Sequence, residues 1–312
     1  MMQGLHIVST ASALPKKIVT NDDLSKIVET SDEWIRTRTG ICTRYMCEEE
    51  TCTSLAIEAG RKAIDTANID VNEIGVVIVA TATSDYAFPS TACLVSKALG
   101  LPHDVMSFDI SAACSGFLYG LKICKGLLSN SNKKYALLIG SEHMTRLVDF
   151  DDRSTCILFG DGAGATILEL DDSLFKHNAW SDGDCNSLSC KGSGYEDSKI
   201  KMNGQEVFKF AVKVIKQGID TVLEQVDMTL DNIDYIVCHQ ANERIIDHIS
   251  KKYKAPEGKF YKNIANYANT SAASIPIAID DMNKKGLLKK GMKVILVGFG
   301  AGFTWSSALI TI

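Results

Sequence analysis

The chain has no excess of positive charge: 33 Lys and Arg stand against 38 Asp and Glu in 312 residues, a formal net charge of -5 at pH 7. That balance gives no support to nucleic-acid binding as the main task, which needs a basic surface. No N-terminal apolar stretch resembles a signal peptide, and no uncharged run approaches the ~20 residues that span a bilayer. No membrane association is expected, and the expected location is cytoplasmic. The ten cysteines contain no CxxC pair and follow no disulfide-framework spacing, so reduced thiols in a cytosolic protein are the simplest account and no metal site is expected. What the chain does have is apolar bulk. With 46% of residues hydrophobic and 23% charged, it can bury a large core, and its length suggests two domains or one doubled domain.

The order of predicted elements suggests doubling. An apolar strand at 74–82 answers another at 233–237. A strand and helix around Cys114 answer the segment and helix around Asn269, and the strand from Tyr135 with the glycine run at 160–164 answers 294–302. Two similar α/β halves are expected, 1–170 and 171–312, related by pseudo-symmetry. Residues 170–200 are polar, rich in Gly, Ser and Asp, and are read as the loop region between halves. The glycines at 160–164 precede a strand, so close backbone packing is favoured over phosphate binding.

Chemistry concentrates at Cys114. An apolar run at 105–110 reads as a buried strand and one at 117–128 as a helix, which puts the thiol at a strand-to-helix turn. Helix N-termini carry unpartnered N–H groups and a positive dipole end, so a lowered thiol pKa is expected there. Small neighbours (Ala112, Ala113, Ser115, Gly116) leave room for a substrate. The competing reading is a buried structural cysteine. A thiolate attacks acyl donors such as thioesters, and among six histidines His239 is the favoured partner because it ends a strand in the second half. His143, after a buried strand, is the alternative. Asn269 by itself is an ordinary turn residue, and the run at 298–302 permits a tight turn whose N–H groups face an oxyanion. Trp34 and Arg38, four apart, share a helical face; alone, Trp34 reads as a surface anchor.

Eight segments in order carry a resemblance that covers nearly the whole chain: SDEWIRTRTGI (31–41), AFPSTAC (87–93), DISAACSGFLYGL (109–121), FGDGAGA (159–165), NGQEVFKFAV (203–212), HQANERII (239–246), YANTSAAS (267–274) and GFGAGFTW (298–305). Together they resemble β-ketoacyl-acyl-carrier-protein synthase III, the condensing enzyme that initiates bacterial type II fatty-acid synthesis. The resemblance implies a thiolase-like α/β fold with αβαβα layers and a homodimer. The implied activity is decarboxylating condensation of a short acyl-CoA with malonyl-acyl-carrier protein, with no cofactor beyond the coenzyme A thioester itself. Cys114 is then the acyl-accepting nucleophile, His239 with Asn269 the decarboxylation pair, and the Cys114 and Ala301 N–H groups the oxyanion hole. Trp34 is to stack on adenine opposite Arg153. Thr30, Arg38, Gln205, Phe208, Ala241, Asn242 and Arg244 are to line the pantetheine and phosphate path. Phe88 is to cross the dimer interface and close the partner's acyl pocket. Lys209, Lys213, Arg244, Lys251 and Lys252 form a basic patch for an acidic carrier protein, or else solvated helix faces.

The chain departs from the family pattern in three places. Gln205 stands where an Asn is expected, Ala301 replaces a common Gly, and 170–200 matches poorly and is expected to shape the acyl pocket. Two other readings use the same residues: a relative acting in secondary metabolism or on free CoA substrates, and a non-catalytic thiolase-fold subunit. Elongating synthases pair Cys with two His, and hydroxymethylglutaryl-CoA synthases need a Glu that 83–90 does not offer.

Overall fold

The computed structural model describes residues 4–192 and 195–312. Its first sheet comprises β1 (His6–Ala13), β2 (Ile74–Ala80), β3 (Met106–Ile110), β4 (Tyr135–Glu142) and β5 (Gly162–Glu169) in the order β1-β5-β4-β2-β3. The second comprises β6 (Phe175–Asp184), β7 (Tyr235–Cys238), β8 (Phe260–Tyr261), β9 (Lys293–Gly300) and β10 (Gly302–Thr311) in the order β6-β10-β9-β7-β8. Strand senses match too: in each sheet the first two pairings are antiparallel and the last two parallel. The doubling read from element order is therefore a doubling of topology.

Helices α1 (Asp32–Thr39), α2 (Cys52–Ala67), α3 (Thr91–Ala98), α4 (Gly116–Leu128), α5 (Gly204–Glu224), α6 (Glu243–Lys252) and α7 (Ser274–Lys284) complete the layers. The central layer is α4 and α7. Their apolar residues (Phe117, Leu121, Ile275, Ile279) form one cluster with Val76 and Ile78 of the first sheet and Leu296 and Ile310 of the second. A helix buried between two sheets must be apolar nearly all round, which is what α4 shows. α2 covers the outer face of the first sheet, and α5 and α6 that of the second. These are the αβαβα layers. Thr51, closing a capping box with Ser54, starts α2, and Ser90 caps α3. By contrast α4 and α7 begin without a side-chain cap; each follows a one-turn 3-10 segment, 113–115 and 271–273.

Two expectations fail. The strand around 105–110 is not buried: β3 is the outer strand of its sheet, and Met106 is 55% exposed. Phe108 and Ile110 of the same strand are half-buried against the central cluster. Segment 170–200 is not all loop, since β6 occupies ten of its residues. As an edge strand only Phe175 is buried, so its side chains carry little of the alternation that marks a half-buried strand. Beyond it, Leu188–Ser189 and Lys201–Met202 pair as a small hairpin; Ser193 and Gly194 lie outside the described residues. The glycine run behaves as expected: a Cβ on Gly164 would come within 2.7–2.8 Å of the Pro276–Ile277 backbone, so β5 and α7 touch main chain to main chain. No helix among the described residues is long and apolar enough to cross a membrane.

Candidate active site

Cys114 sits in the turn between β3 and α4. Ala113 before it holds a left-handed φ of 44°, a conformation that lifts residue 114 out of the strand line. The start of β10 clamps this turn: Thr304 Oγ1 donates to Ala112 O at 2.9 Å and Ser115 Oγ donates to Thr304 O at 3.0 Å. Gly300 lies so near that a Cβ there would meet Cys114 N at 2.6 Å. The turn at Gly300–Ala301 and the Cys114 N–H thus share one spot, and Ala301 is half-buried beside it.

The thiol itself does not have the lowered pKa expected from the helix N-terminus. Burial pushes Cys114 up to about 12; the Ser271 hydroxyl, 3.3 Å from Sγ, opposes the rise and the Glu142 charge adds to it. Desolvation of a thiolate outweighs the pull of the unpartnered N–H groups, so the resting group is the thiol.

His239 follows the last residue of β7 and is 2% exposed. Its Nδ1 lies 2.6 Å from Ser274 Oγ, and that oxygen accepts the Gln240 N–H at 3.4 Å. With Ser274 Oγ donating to Nδ1, the ring proton lies on Nε2, facing the cleft chemistry as a donor. Burial lowers the His239 pKa to about 3, which keeps the imidazole neutral at physiological pH. Asn269 is tied at three points: its N–H donates to Leu158 O, its carbonyl accepts from Gly160 N, and Oδ1 accepts the Ser271 N–H at 2.8 Å. With Oδ1 taken, the amide NH2 is left as the donor side. Cys114, His239 and Asn269 all line one cleft, together with Phe208, Ala241 and Asn242. Leu188, inside the poorly matching segment 170–200, and Met202, just beyond it, also line this cleft.

The cleft opens into an outer groove bounded by Gln205, Phe208, Lys209, Asn242 and Arg244. Asn242 caps α6 and reaches Arg38 O at 3.1 Å, which joins the two sides of the mouth. Trp34 and Arg38 share a face as their spacing predicts, with the guanidinium 4.3 Å from the ring centroid. Arg153 is also on this ring, at 4.7 Å, anchored to Glu29 O. An adenine between Trp34 and Arg153 would need about twice a ring-stacking distance, so the expected slot is closed in this structure, with the guanidinium itself on the ring. The Thr30 hydroxyl nearby is buried with no hydrogen-bond partner.

Other candidates lie apart. Phe88 is 87% exposed and does not line the cleft of its own chain. Lys209, Lys213, Arg244, Lys251 and Lys252 are exposed on α5 and α6; Lys209 is paired with Glu206 at 2.8 Å. His143 is outside the cleft, 3.9 Å from Asp161. With Cys47 these two form a cluster of metal-ligating types, but the Asp161 carboxylate is spent on Cys47 N, Thr145 N and Thr145 Oγ1. It braces loops. One residue escaped the sequence reading altogether: Glu142, fully buried at the end of β4 and bonded to Ser271. A carboxylate ending an otherwise apolar strand was the available signal.

Two family models match the chain, "3-Oxoacyl-[acyl-carrier-protein (ACP)] synthase III" over residues 108–183 and its C-terminal counterpart over 223–312. A β-ketoacyl-[acyl-carrier-protein] synthase III of Clostridium botulinum (strain 657 / Type Ba4) is 47% identical, covering 99% of each chain. The crystal structure of the 3-oxoacyl-[acyl-carrier-protein] synthase III from Aquifex aeolicus VF5 superposes with a TM-score of 0.94 at 40% identity, over 99% of this chain and 100% of that one. That of Pseudomonas aeruginosa PAO1 does so at 0.93 and 34%, over 99% and 98%.

Proposed function

The chain belongs to the β-ketoacyl-[acyl-carrier-protein] synthase III family, and on that premise we propose how its residues divide the reaction. The enzyme is an acyltransferase that condenses an acyl-CoA with malonyl-acyl-carrier protein and so initiates fatty-acid synthesis. In the first half-reaction Cys114 takes the acyl group of a short acyl-CoA, and CoA leaves. Malonyl carrier protein then loses carbon dioxide, which leaves enolate charge on its thioester oxygen. His239 Nε2–H and the Asn269 amide, both neutral donors, stabilise that oxygen. A cationic imidazole would also bind the malonyl carboxylate and hold back its departure; a neutral one binds only the charge that develops. The carbanion attacks the acyl-Cys114 carbonyl, whose oxyanion rests on the N–H groups of Cys114 and Ala301.

The observation that carries this assignment is that three residues distant in sequence, from both sheets' loops, line a single cleft. The outer groove supports a pantetheine path past Gln205, Phe208, Ala241, Asn242 and Arg244, and the Trp34, Arg38, Arg153 and Thr30 group supports a nucleotide site. The exposed α5 and α6 cations suit an acidic carrier protein. Residues 1–170 and 171–312 are the two halves. A homodimer formed across β3 would cover Met106, 55% exposed, and carry Phe88 toward the partner's cleft. Side chains and the two thioesters suffice for every step without a cofactor, and the enzyme works in the cytoplasm.

Intact-mass spectrometry with a panel of acyl-CoAs tests the nucleophile and ranks the primers. Wild type should gain one acyl group that Cys114→Ala lacks, while Asn269→Ala should acylate yet fail to decarboxylate malonyl carrier protein. An acylated Cys114→Ala protein would overturn the assignment.

A further inference from the structure

The reaction as described leaves the Cys114 proton without a destination. His239 is poorly placed to take it: burial disfavours a second proton on that ring, and with Ser274 Oγ donating to Nδ1 the hydrogen on Nε2 leaves no free ring lone pair. Among the described residues the hydrogen-bond partner of the thiol is Ser271, with Sγ donating to Oγ at 3.3 Å. Ser271 Oγ in turn donates to Glu142 Oε1 at 2.9 Å. The other carboxylate oxygen, Oε2, accepts from Thr83 Oγ1 at 2.6 Å, the Ala82 N–H at 3.1 Å and Thr81 Oγ1 at 3.3 Å. Every donor in the series points one way, from sulfur to hydroxyl to carboxylate. Among the described residues no cation pairs with this fully buried carboxylate; one held by donors alone is costly for a fold to keep, and burial raises its proton affinity.

We propose that Ser271 and Glu142 form a proton relay for Cys114, with Glu142 holding the thiol proton for the lifetime of the acyl-enzyme. The proposal rests on the reading of Cys114 as nucleophile. In acylation the S–H bond breaks, the proton passes to Ser271 Oγ, and the Ser271 proton passes to Glu142 Oε1. The sulfur electron pair forms the bond to the acyl carbon, and the bond to CoA breaks, so CoA leaves as its thiolate and is protonated by water outside. In condensation the enolate carbon bonds to the acyl carbon and the Cys114 C–S bond breaks. The departing thiolate recovers its proton from Glu142 through Ser271. The charge of the site is restored, and no proton enters from solvent during chemistry. Ser271 touches the reacting sulfur; Glu142 is a positioning residue that acts through it. Among the described residues the titratable groups around this series are Cys52, whose Sγ lies 3.3 Å from Thr81 Oγ1 and which burial pushes up to about 12, Asp85, whose charge adds to that rise, and His143, whose backbone N–H donates to Thr83 Oγ1; His239 lines the same cleft as Cys114.

The test is the pH profile of single-turnover acylation by acetyl-CoA, read by rapid quench and intact mass between about pH 6 and 10, the range over which free thiols ionise. An internal relay makes the wild-type rate nearly independent of pH, because proton donor and acceptor stay within the protein. Ser271→Ala and Glu142→Gln should lose about 10²–10⁴-fold at pH 7, and their rates should climb about tenfold per pH unit toward the wild type as solvent ionises the thiol. Ser271→Ala is the decisive variant. Its backbone N–H still holds Asn269 Oδ1, and its left-handed φ of 51° is one that Ala113 already adopts in the matching turn, at 44°. Variants with the wild-type rate and profile overturn the relay, as do slower variants whose profile stays flat, since that marks a merely structural role. Acylation of Cys114→Ala in the same series would instead overturn the nucleophile on which the relay depends.

Discussion

Gly300→Ala tests the oxyanion hole by the smallest addition possible. The new methyl would sit 2.6 Å from Cys114 N and 3.1 Å from Ala113 Cβ, where ordinary contact begins at 3.4 Å. The backbone on one side must retreat by about 0.8 Å. Neither side is soft: Thr304 holds Ala112 and Ser115 against β10, and Gly300 is paired within the β9–β10 ladder. Oxyanion donors work at about 2.7–3.1 Å, and losing one costs about 10²–10³ in kcat. A shift of this size takes the Cys114 or Ala301 N–H out of that range. The expected result is a kcat lowered by about two orders of magnitude with KM for acyl-CoA nearly unchanged. Overpacking also costs about 1–3 kcal/mol of stability, so thermal unfolding must be followed on the same samples to separate lost fold from lost chemistry. A Gly300→Ala enzyme that keeps the wild-type kcat would show that the hydrogen bonds to the oxyanion come from elsewhere.

Three further expectations concern charge and binding. His239 has a pKa of about 3 when folded against about 6.5 unfolded. Between those values the unfolded chain binds a proton that the folded one refuses, so stability falls as pH falls through this window; urea unfolding at several pH values should show a shallower acid loss for His239→Asn than for wild type, and equal slopes would contradict the neutral buried ring. Trp34→Ala should raise KM for acyl-CoA by about tenfold, given base-stacking contributions of about 1–3 kcal/mol, with kcat unchanged; an unmoved KM would place the nucleotide elsewhere. Lys213→Glu with Lys251→Glu should raise KM for malonyl carrier protein severalfold, with the difference shrinking at high salt, and should leave KM for acyl-CoA alone. A salt-independent effect would mean these lysines are only a solvated face.

Much of the fold was legible because its signals are local. The central strands β2 and β4 are continuous apolar runs, as strands covered on both faces must be, and α2 and α3 begin at capping residues. The repeat could be read from element order alone. The edge strands were harder: β3 reads as a buried run yet is only half-buried, with Met106 exposed, and β6 is polar yet ordered, since each lies at the edge of its sheet.

The sequence by itself determined the family, the chemistry available at Cys114, His239 and Asn269, and the two-fold repeat of elements, because residue type, order and periodicity depend on the chain alone. Only the tertiary structure decided the ionisation of the site. Burial holds Cys114 as a thiol and His239 as a neutral donor, reversing the expectation drawn from a helix N-terminus, because desolvation depends on everything packed around a group and not on its neighbours in the chain. The same is true of Glu142, which shows no motif in sequence. It becomes a partner of Cys114 through Ser271, 129 residues further along the chain, when the turn before α7 folds against the turn before α4.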